Sequence, residues 1–175
     1  MNTLEAIAKR KSTRDYRPEQ IPEEALGAIL KAGCAAPIAM AQYDSLHITV
    51  IQSGEVIKKI NDMTAEMILE KRGERRNTDF GAKTMVIIST QTTILSPEME
   101  FANAGIVIEN MVIAATSLGV DSVILGGAPS VVAKDAVLVR SLGIPDGFKP
   151  IIGAFFGYAA SMEEPKSHYI AVNRI

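Results

Sequence analysis

The sequence predicts an α+β fold in which long helices pack on a small sheet. Three observations carry that reading. Helical and strand-like runs alternate, but only about four runs have strand character by their β-branched content. The chain opens on two helical segments rather than on a strand and a glycine turn. Neither GxGxxG nor GxxxxGK[ST] occurs, which removes motif support for a Rossmann or P-loop arrangement. The 175 residues are 47% hydrophobic and 22% charged, an ordinary globular composition that suits one domain over residues 1–175 with a single core.

Residues 2–10 read as a helix with Leu4, Ile7 and Ala8 on one face and Glu5 complementing the N-terminal dipole. A basic cluster, Arg10-Lys11-Ser12-Thr13-Arg14, closes it. Residues 17–22 form an extended connector, because each proline biases its predecessor away from the α region, and Pro22 opens the next helix. Leu26, Ile29 and Leu30 mark that helix's buried face, with Gly33 near its end. Residues 46–51 are a strand, followed by a helix whose apolar positions are Val56, Ile57, Ile60, Met63, Met67 and Ile68. The charged segment 70–79, interrupted by Gly73, is a solvated loop or a frayed helix end, and residues 84–89 return as a strand.

Between residues 98 and 118 the set Phe101, Ala104, Ile108, Met111, Val112, Ala115 and Leu118 makes a helix apolar over most of its circumference. Such a helix belongs at the centre of a domain or of a dimer. Gly119 is its left-handed stop, residues 121–125 are a third strand, and Ser130 caps a helix that runs to Leu142. A turn at 144–147 leads to a last strand at 151–158 and a polar tail, 161–175.

With 18 basic and 20 acidic residues the formal charge is −2, which gives no electrostatic footprint for nucleic acid or an anionic membrane. The charge-free stretch 150–162 is too short to cross a bilayer. The N-terminus lacks the basic-then-apolar order of a secretion signal. Cys34 is the sole cysteine, so no internal disulfide forms and the reducing cytoplasm is the expected compartment. Eight methionines and no tryptophan indicate a core filled by adaptable side chains.

The residues 10–14 cluster offers three cations and a hydroxyl that could grip a phosphate dianion, or its cations could simply complement a helix C-terminus. Residues 35–45, small and apolar, could lie flat against an aromatic ligand or form a core-packed turn. Gly126-Gly127, straight after a strand, permits close backbone approach or a tight turn. His47 and His168 have no second ligand at metal spacing, Cys34 reads as a buried inert thiol, and no GxSxG occurs. Glu109 is the one candidate for a buried carboxylate.

Taken in order, Arg10-x-Ser12-x-Arg14-x-Tyr16 after a short helix, Ala35-Ala36-Pro37 opening a loop into a strand, and Ala104-Gly105-x-x-x-Glu109-Asn110-Met111-x-x-x-Ala115-x-x-x-Gly119 with Gly126 at the next strand end resemble the FMN-dependent nitroreductase family. Gly147-Phe148-Lys149-Pro150 and Gly157-Tyr158 extend the resemblance over nearly the whole chain. It implies a short-form nitroreductase-like α+β fold with a small, mainly antiparallel sheet, and an intertwined homodimer with FMN at the interface. Arg10, Lys11 and Ser12 match the phosphate grip, with Arg174 as a second cation source, and Arg14 matches the position at the flavin N1/O2 edge. Pro37, Ile38 and Ala39 match the loop along the isoalloxazine, while Leu125 and Gly126 match backbone donors near N5.

The implied activity is hydride passage from NADH or NADPH through flavin N5 to a nitroaromatic- or quinone-like acceptor by a ping-pong exchange. No side-chain acid is needed, which agrees with the lack of a catalytic His or Cys motif. A flavin carrier or sensor, a reductive dehalogenase-like enzyme and a flavin-free interaction protein are the alternatives. This chain departs from the family in its loop, where Ile38, Ala39, Ala41, Tyr43 and Asp44 replace several polar groups. The pyrimidine edge must then be met by backbone or by another element. Lys83 also stands where a proline is frequent.

Overall fold

The computed structural model describes residues 1–92, 98–161, 164–165 and 168–175. Helix α1 (Thr3–Lys9) opens with a capping box: Glu5 N–H donates to Asn2 Oδ1 at 3.0 Å, and Asn2 N–H donates to Glu5 Oε2 at 3.1 Å. Then come α2 (Glu23–Cys34), β1 (Leu46–Ile51), α3 (Gly54–Arg72), β2 (Thr84–Thr90) and α4 (Met99–Ser117). The chain continues through β3 (Asp121–Leu125), α5 (Gly127–Val132), α6 (Ala136–Ser141) and β4 (Lys149–Gly157). The strands form one antiparallel sheet in the order β1-β2-β4-β3. This is the α+β architecture that the sequence predicts.

Every residue of β2 is buried, because helices cover both faces of the sheet. Alternation sends Val86 and Ile88 toward α2 and α4, where they meet Ile29, Ile108, Met111 and Phe156. Met85 and Ile87 face the other way, onto Ile57, Ile60, Val131, Val132 and Phe155. The result is three layers with a core on each side of the sheet, rather than a single core.

The segment after α1 runs as a strap along the outer edge of β3. Ser12 bridges Ser122 in parallel, Thr13 N–H donates to the Ser122 carbonyl at 3.0 Å, and Tyr16 bridges Ala159. The strap thereby covers an edge that would otherwise expose unpaired backbone groups. The buried Tyr16 ring lies flat on Gly157, where a Cβ would come within 2.8 Å of its Cδ1. Gly119 adopts φ 75° after α4, as its place in the sequence predicts.

Several expectations are corrected. On α1 only Ala6 is buried, while Leu4 and Ile7 are 78% and 50% exposed, so among the described residues the predicted apolar face is only partly covered. Helix α3 buries Ile57 and Ile60 as predicted, with Val56, Met63 and Met67 partly buried against the same core, and it also buries Asn61, Thr64 and Ala65, which the apolar pattern does not mark. The single helix expected from Ser130 is two short ones, since Asp135 accepts from the Val137 and Leu138 N–H groups at 3.0 Å each and starts α6 anew. Glu109 and Cys34 are both exposed rather than buried. Part of the predicted tail, residues 162–163 and 166–167, lies outside the described residues. The rest is exposed and is less polar than predicted, with Tyr169, Ile170 and Val172 open to solvent.

Candidate functional site

Where β3 ends and α5 begins, the structure brings three predicted residues to one cavity of about 190 Å³: Arg14, Leu125 and Gly126. The strap's pairing with β3 sets Arg14 at the cavity's edge, its Nη1 donating to the Ser12 carbonyl at 3.4 Å. Leu125 is held by its register opposite Gly153 of β4. The opposite wall comes from α3, through Asn61, Thr64 and Ile68, and from Thr78 and Phe80 beyond it. The cavity thus joins apolar surface to a few polar groups and one cation, the usual make-up of a small-molecule site.

Asn61 is 3% exposed, and among the described residues its Nδ2 has no hydrogen-bond partner. Its backbone carbonyl accepts from Thr78 Oγ1 at 2.7 Å, which ties the loop after α3 to the same wall. An unpaired buried amide is costly, and Asn61 stands on the wall of this cavity. Sequence reading missed Asn61 and Thr64. Their signal is a polar pair at i, i+3 interrupting the stripe that begins with Ile57 and Ile60.

The other strap residues sit differently. Arg10 is the C-cap of α1, its N–H donating to the Ala6 carbonyl at 3.0 Å. Lys11 Nζ is 3.8 Å from Asp121 Oδ1 and lines a second cavity, of about 260 Å³, with Lys9 and Asp121. Thr13 Oγ1 donates to Asp121 Oδ1 at 3.3 Å. Burial pushes the Tyr16 hydroxyl far above the usual phenol range; the Asp121 charge acts in the same direction and Arg14 opposes it. Arg174 is exposed.

Pro37, Ile38 and Ala39 do not reach the Arg14 cavity within the single chain. Ile38 lines a third cavity, of about 390 Å³, with Cys34, Tyr43 and His47. His47 is accounted for structurally by an edge-on contact with Phe148, ring centroids 6.2 Å apart. The loop is a 3₁₀ turn at Ala39–Ala41, in which Met40 and Ala41 take left-handed φ values of 56° and 54°. Asn103 on α4 steadies it, its Oδ1 accepting from the Ala39 N–H at 3.1 Å.

The antiparallel four-stranded sheet, its two helical layers and the strap define an α+β chain of the nitroreductase fold. A nitroreductase with bound FMN from Bacteroides fragilis NCTC 9343 superposes with a TM-score of 0.86 at 27% identity, covering 100% of this chain and 98% of that one. A nitroreductase with bound FMN from Desulfitobacterium hafniense DCB-2 shares the fold at a TM-score of 0.83 and 24% identity, over 99% of this chain and 100% of that one. The family model "Nitroreductase family" matches residues 7–158, and the chain belongs to that family. Among curated relatives, a protein of Archaeoglobus fulgidus named "Putative NADH dehydrogenase/NAD(P)H nitroreductase" is 28% identical over 172 residues, 98% of this chain and 91% of the relative. A protein of the same name from Methanothermobacter thermautotrophicus is 28% identical over 163 residues, 91% and 78% of the two chains.

Proposed function

We propose that the protein is an FMN-dependent oxidoreductase that takes hydride from NADH or NADPH and reduces a nitroaromatic- or quinone-like acceptor in a ping-pong cycle. When bound, FMN supplies two-electron chemistry at its ring N5. The observation that carries the reading is the cavity wall itself. Asn61 and Arg14 stand on a largely apolar cavity whose floor is the backbone at Leu125 and Gly126. That donor set suits a planar, carbonyl-rich heterocycle: apolar side chains exclude water from its faces, and an amide and a cation meet its polar edge. Asn61 thereby fills the role that the apolar 37–44 loop cannot.

In this reading the chain's residues bind and orient. Arg14 stabilises negative charge developing at the ring edge, which raises the tendency of the cofactor to be reduced. The Leu125 and Gly126 backbone fixes the reacting edge, and Gly126, with no atom within 4 Å of its would-be Cβ, leaves that approach open. Arg10, Lys11 and Ser12 hold the phosphate, with Arg174 joining from the tail.

A homodimer completes the site. Within one chain Ile38 and Arg14 line different cavities. A second copy is the natural source of the missing loop. Exposed Leu4 and Ile7 on α1, Phe101 and Ile106 on α4, and Ile170 and Val172 in the tail supply apolar surface for it. Among the described residues no helix is long and apolar enough to cross a membrane, and a lone free thiol suits the cytoplasm.

The test is the visible spectrum after FMN loading and desalting, followed by anaerobic addition of NADH and then NADPH. Retained bands that bleach support the oxidoreductase and identify its donor. Retained bands that stay unchanged would make the protein a carrier, and loss of all flavin would overturn the proposal.

A further inference from the structure

The side chain of Asp121, the first residue of β3, joins two segments that the functional reading treats separately. Its Oδ1 accepts from Thr13 Oγ1 at 3.3 Å and lies 3.8 Å from Lys11 Nζ, so it fastens the strap. Its Oδ2 accepts from the Ala159 N–H at 3.0 Å, just past the end of β4, so it also fastens the root of the tail. Backbone bonds run beside it, from Ala160 N–H to the Asp15 carbonyl at 2.9 Å and from Arg17 N–H to the Tyr158 carbonyl at 2.8 Å. Strap and tail root are therefore one laced unit with the Asp121 carboxylate between them.

We infer that Asp121 is a positioning residue for the phosphate end of the cofactor. By holding Lys11 and Thr13 on one side and Ala159 on the other, it fixes the strap bearing Arg10, Lys11 and Ser12 relative to the tail that leads to Arg174. The physical reason is geometric. A phosphate held by several charge-assisted hydrogen bonds needs its donors to converge, and each bond weakens steeply with misplacement. Backbone bonds at Thr13, Tyr16 and Arg17 set the path of the strap but leave its side chains free to rotate. A carboxylate bonded to both segments removes that freedom before the ligand arrives, and such preorganisation adds affinity without adding a contact. Asp121 carries out this task without touching the ligand, and its negative charge, standing beside Lys11, would oppose the phosphate if it acted directly.

This inference rests on the FMN reading, and its test separates the two. Dissociation constants for FMN and for riboflavin are measured by flavin fluorescence quenching, with the thermal midpoint of each apo variant recorded alongside. Riboflavin carries the same ring and lacks the phosphate. The ratio of the two constants therefore reports the phosphate grip alone, and general destabilisation does not move it.

Asp121→Ala is expected to weaken FMN binding by roughly tenfold, about the loss of one well-aligned charge-assisted bond, while riboflavin binding changes by less than about threefold. Asp121→Asn keeps an acceptor for one of its two hydrogen-bond donors and should fall between Asp121→Ala and the wild type. If Asp121→Ala does not fold, Asp121→Asn and Thr13→Val carry the test, each lowering the FMN-to-riboflavin preference. A ratio unchanged in these variants, even with a lower melting point, overturns the positioning role. A wild-type protein that binds neither flavin, or binds both equally, overturns the FMN reading and this inference with it.

Discussion

Replacing Gly153 by alanine probes how the sheet supports the cavity. A Cβ built there lies 2.6 Å from the Val86 carbonyl oxygen, 3.4 Å from Pro129 Cγ and 3.6 Å from Ile87 Cγ1. Contacts under 3.0 Å essentially never occur for a real Cβ, so strands β2 and β4 must separate locally by at least 3.0 − 2.6 = 0.4 Å. The obstacle is backbone, which cannot rotate aside. Overpacking of this kind costs about 1–3 kcal/mol, and the loss of glycine's unfolded-state freedom returns about 0.4–1 kcal/mol. The net is a destabilisation of about 1–2 kcal/mol, or roughly 2–8 °C in melting temperature for a chain of this length. Gly153 also pairs with Leu125 and abuts the start of α5, so the displacement reaches the cavity floor and flavin retention should fall as well. The assay is urea unfolding followed by circular dichroism, with a flavin-loading spectrum on the same samples. Gly126→Ala is the control: at φ −99° with no atom within 4 Å, its methyl leaves the fold within about 0.5 kcal/mol of wild type and fills the cavity instead. A Gly153→Ala protein as stable as the wild type would refute this account of the sheet.

Asn61→Leu removes an unpaired buried amide, so the apo protein should melt at or above the wild-type temperature while FMN affinity falls about tenfold or more. Calorimetry and flavin titration read the two opposite signs. Arg14→Gln should move the midpoint potential of bound flavin negative by about 30 mV for each 1.4 kcal/mol of lost charge stabilisation, measured by dye-linked reduction. Charging two exposed apolar positions of α4 with Phe101→Glu and Ile106→Glu should convert a dimer to a monomer in sedimentation and release flavin with it. Asp135 has its carboxyl held below the usual 3.8 by the Leu138 N–H bond and then by Lys59, the Val137 N–H and Arg140. Its contribution to stability is therefore present above that value and is lost as pH falls through the lower folded value. Asp135→Asn should narrow the gap between urea midpoints at pH 7 and at low pH.

The sequence made most elements legible because their signals are local. The strand at Leu46–Ile51 and the strand at Asp121–Leu125 have the predicted ends, and the left-handed Gly119 stands where the apolar run of α4 stops. What failed was information held by tertiary contacts. Leu4 and Ile7 look like a core face on α1, but among the described residues Leu4 stays mostly open and Ile7 is only half covered. Ser130 looked like a cap because hydroxyls often are, yet Asp135 takes that task and breaks the helix in two. At the site, Arg14, Leu125 and Gly126 were readable through the family's order of motifs, and they line one cavity. Asn61 left only the weak signal of a polar residue interrupting an apolar stripe, because which face of α3 is buried is decided by the sheet.

The strand order has a consequence for how the chain is made. β1 and β2 are adjacent in sequence and can pair as soon as residue 90 is available. β3 has no partner in the sheet except β4, and β4 is the last strand in chain order although it lies at the sheet's centre. During synthesis, the inner edge of β2 and the edge of β3 that faces β4 therefore wait, unpaired, until residues 149–157 have left the ribosome. At about 5–20 residues per second, the stretch from the end of β2 to the end of β4 takes several seconds. Over that interval an open β-edge faces the cell with much of its apolar cover not yet in place. Newly made chains, rather than the finished protein, are the species that would engage holdase chaperones, and a truncation within β4 would leave this edge open permanently.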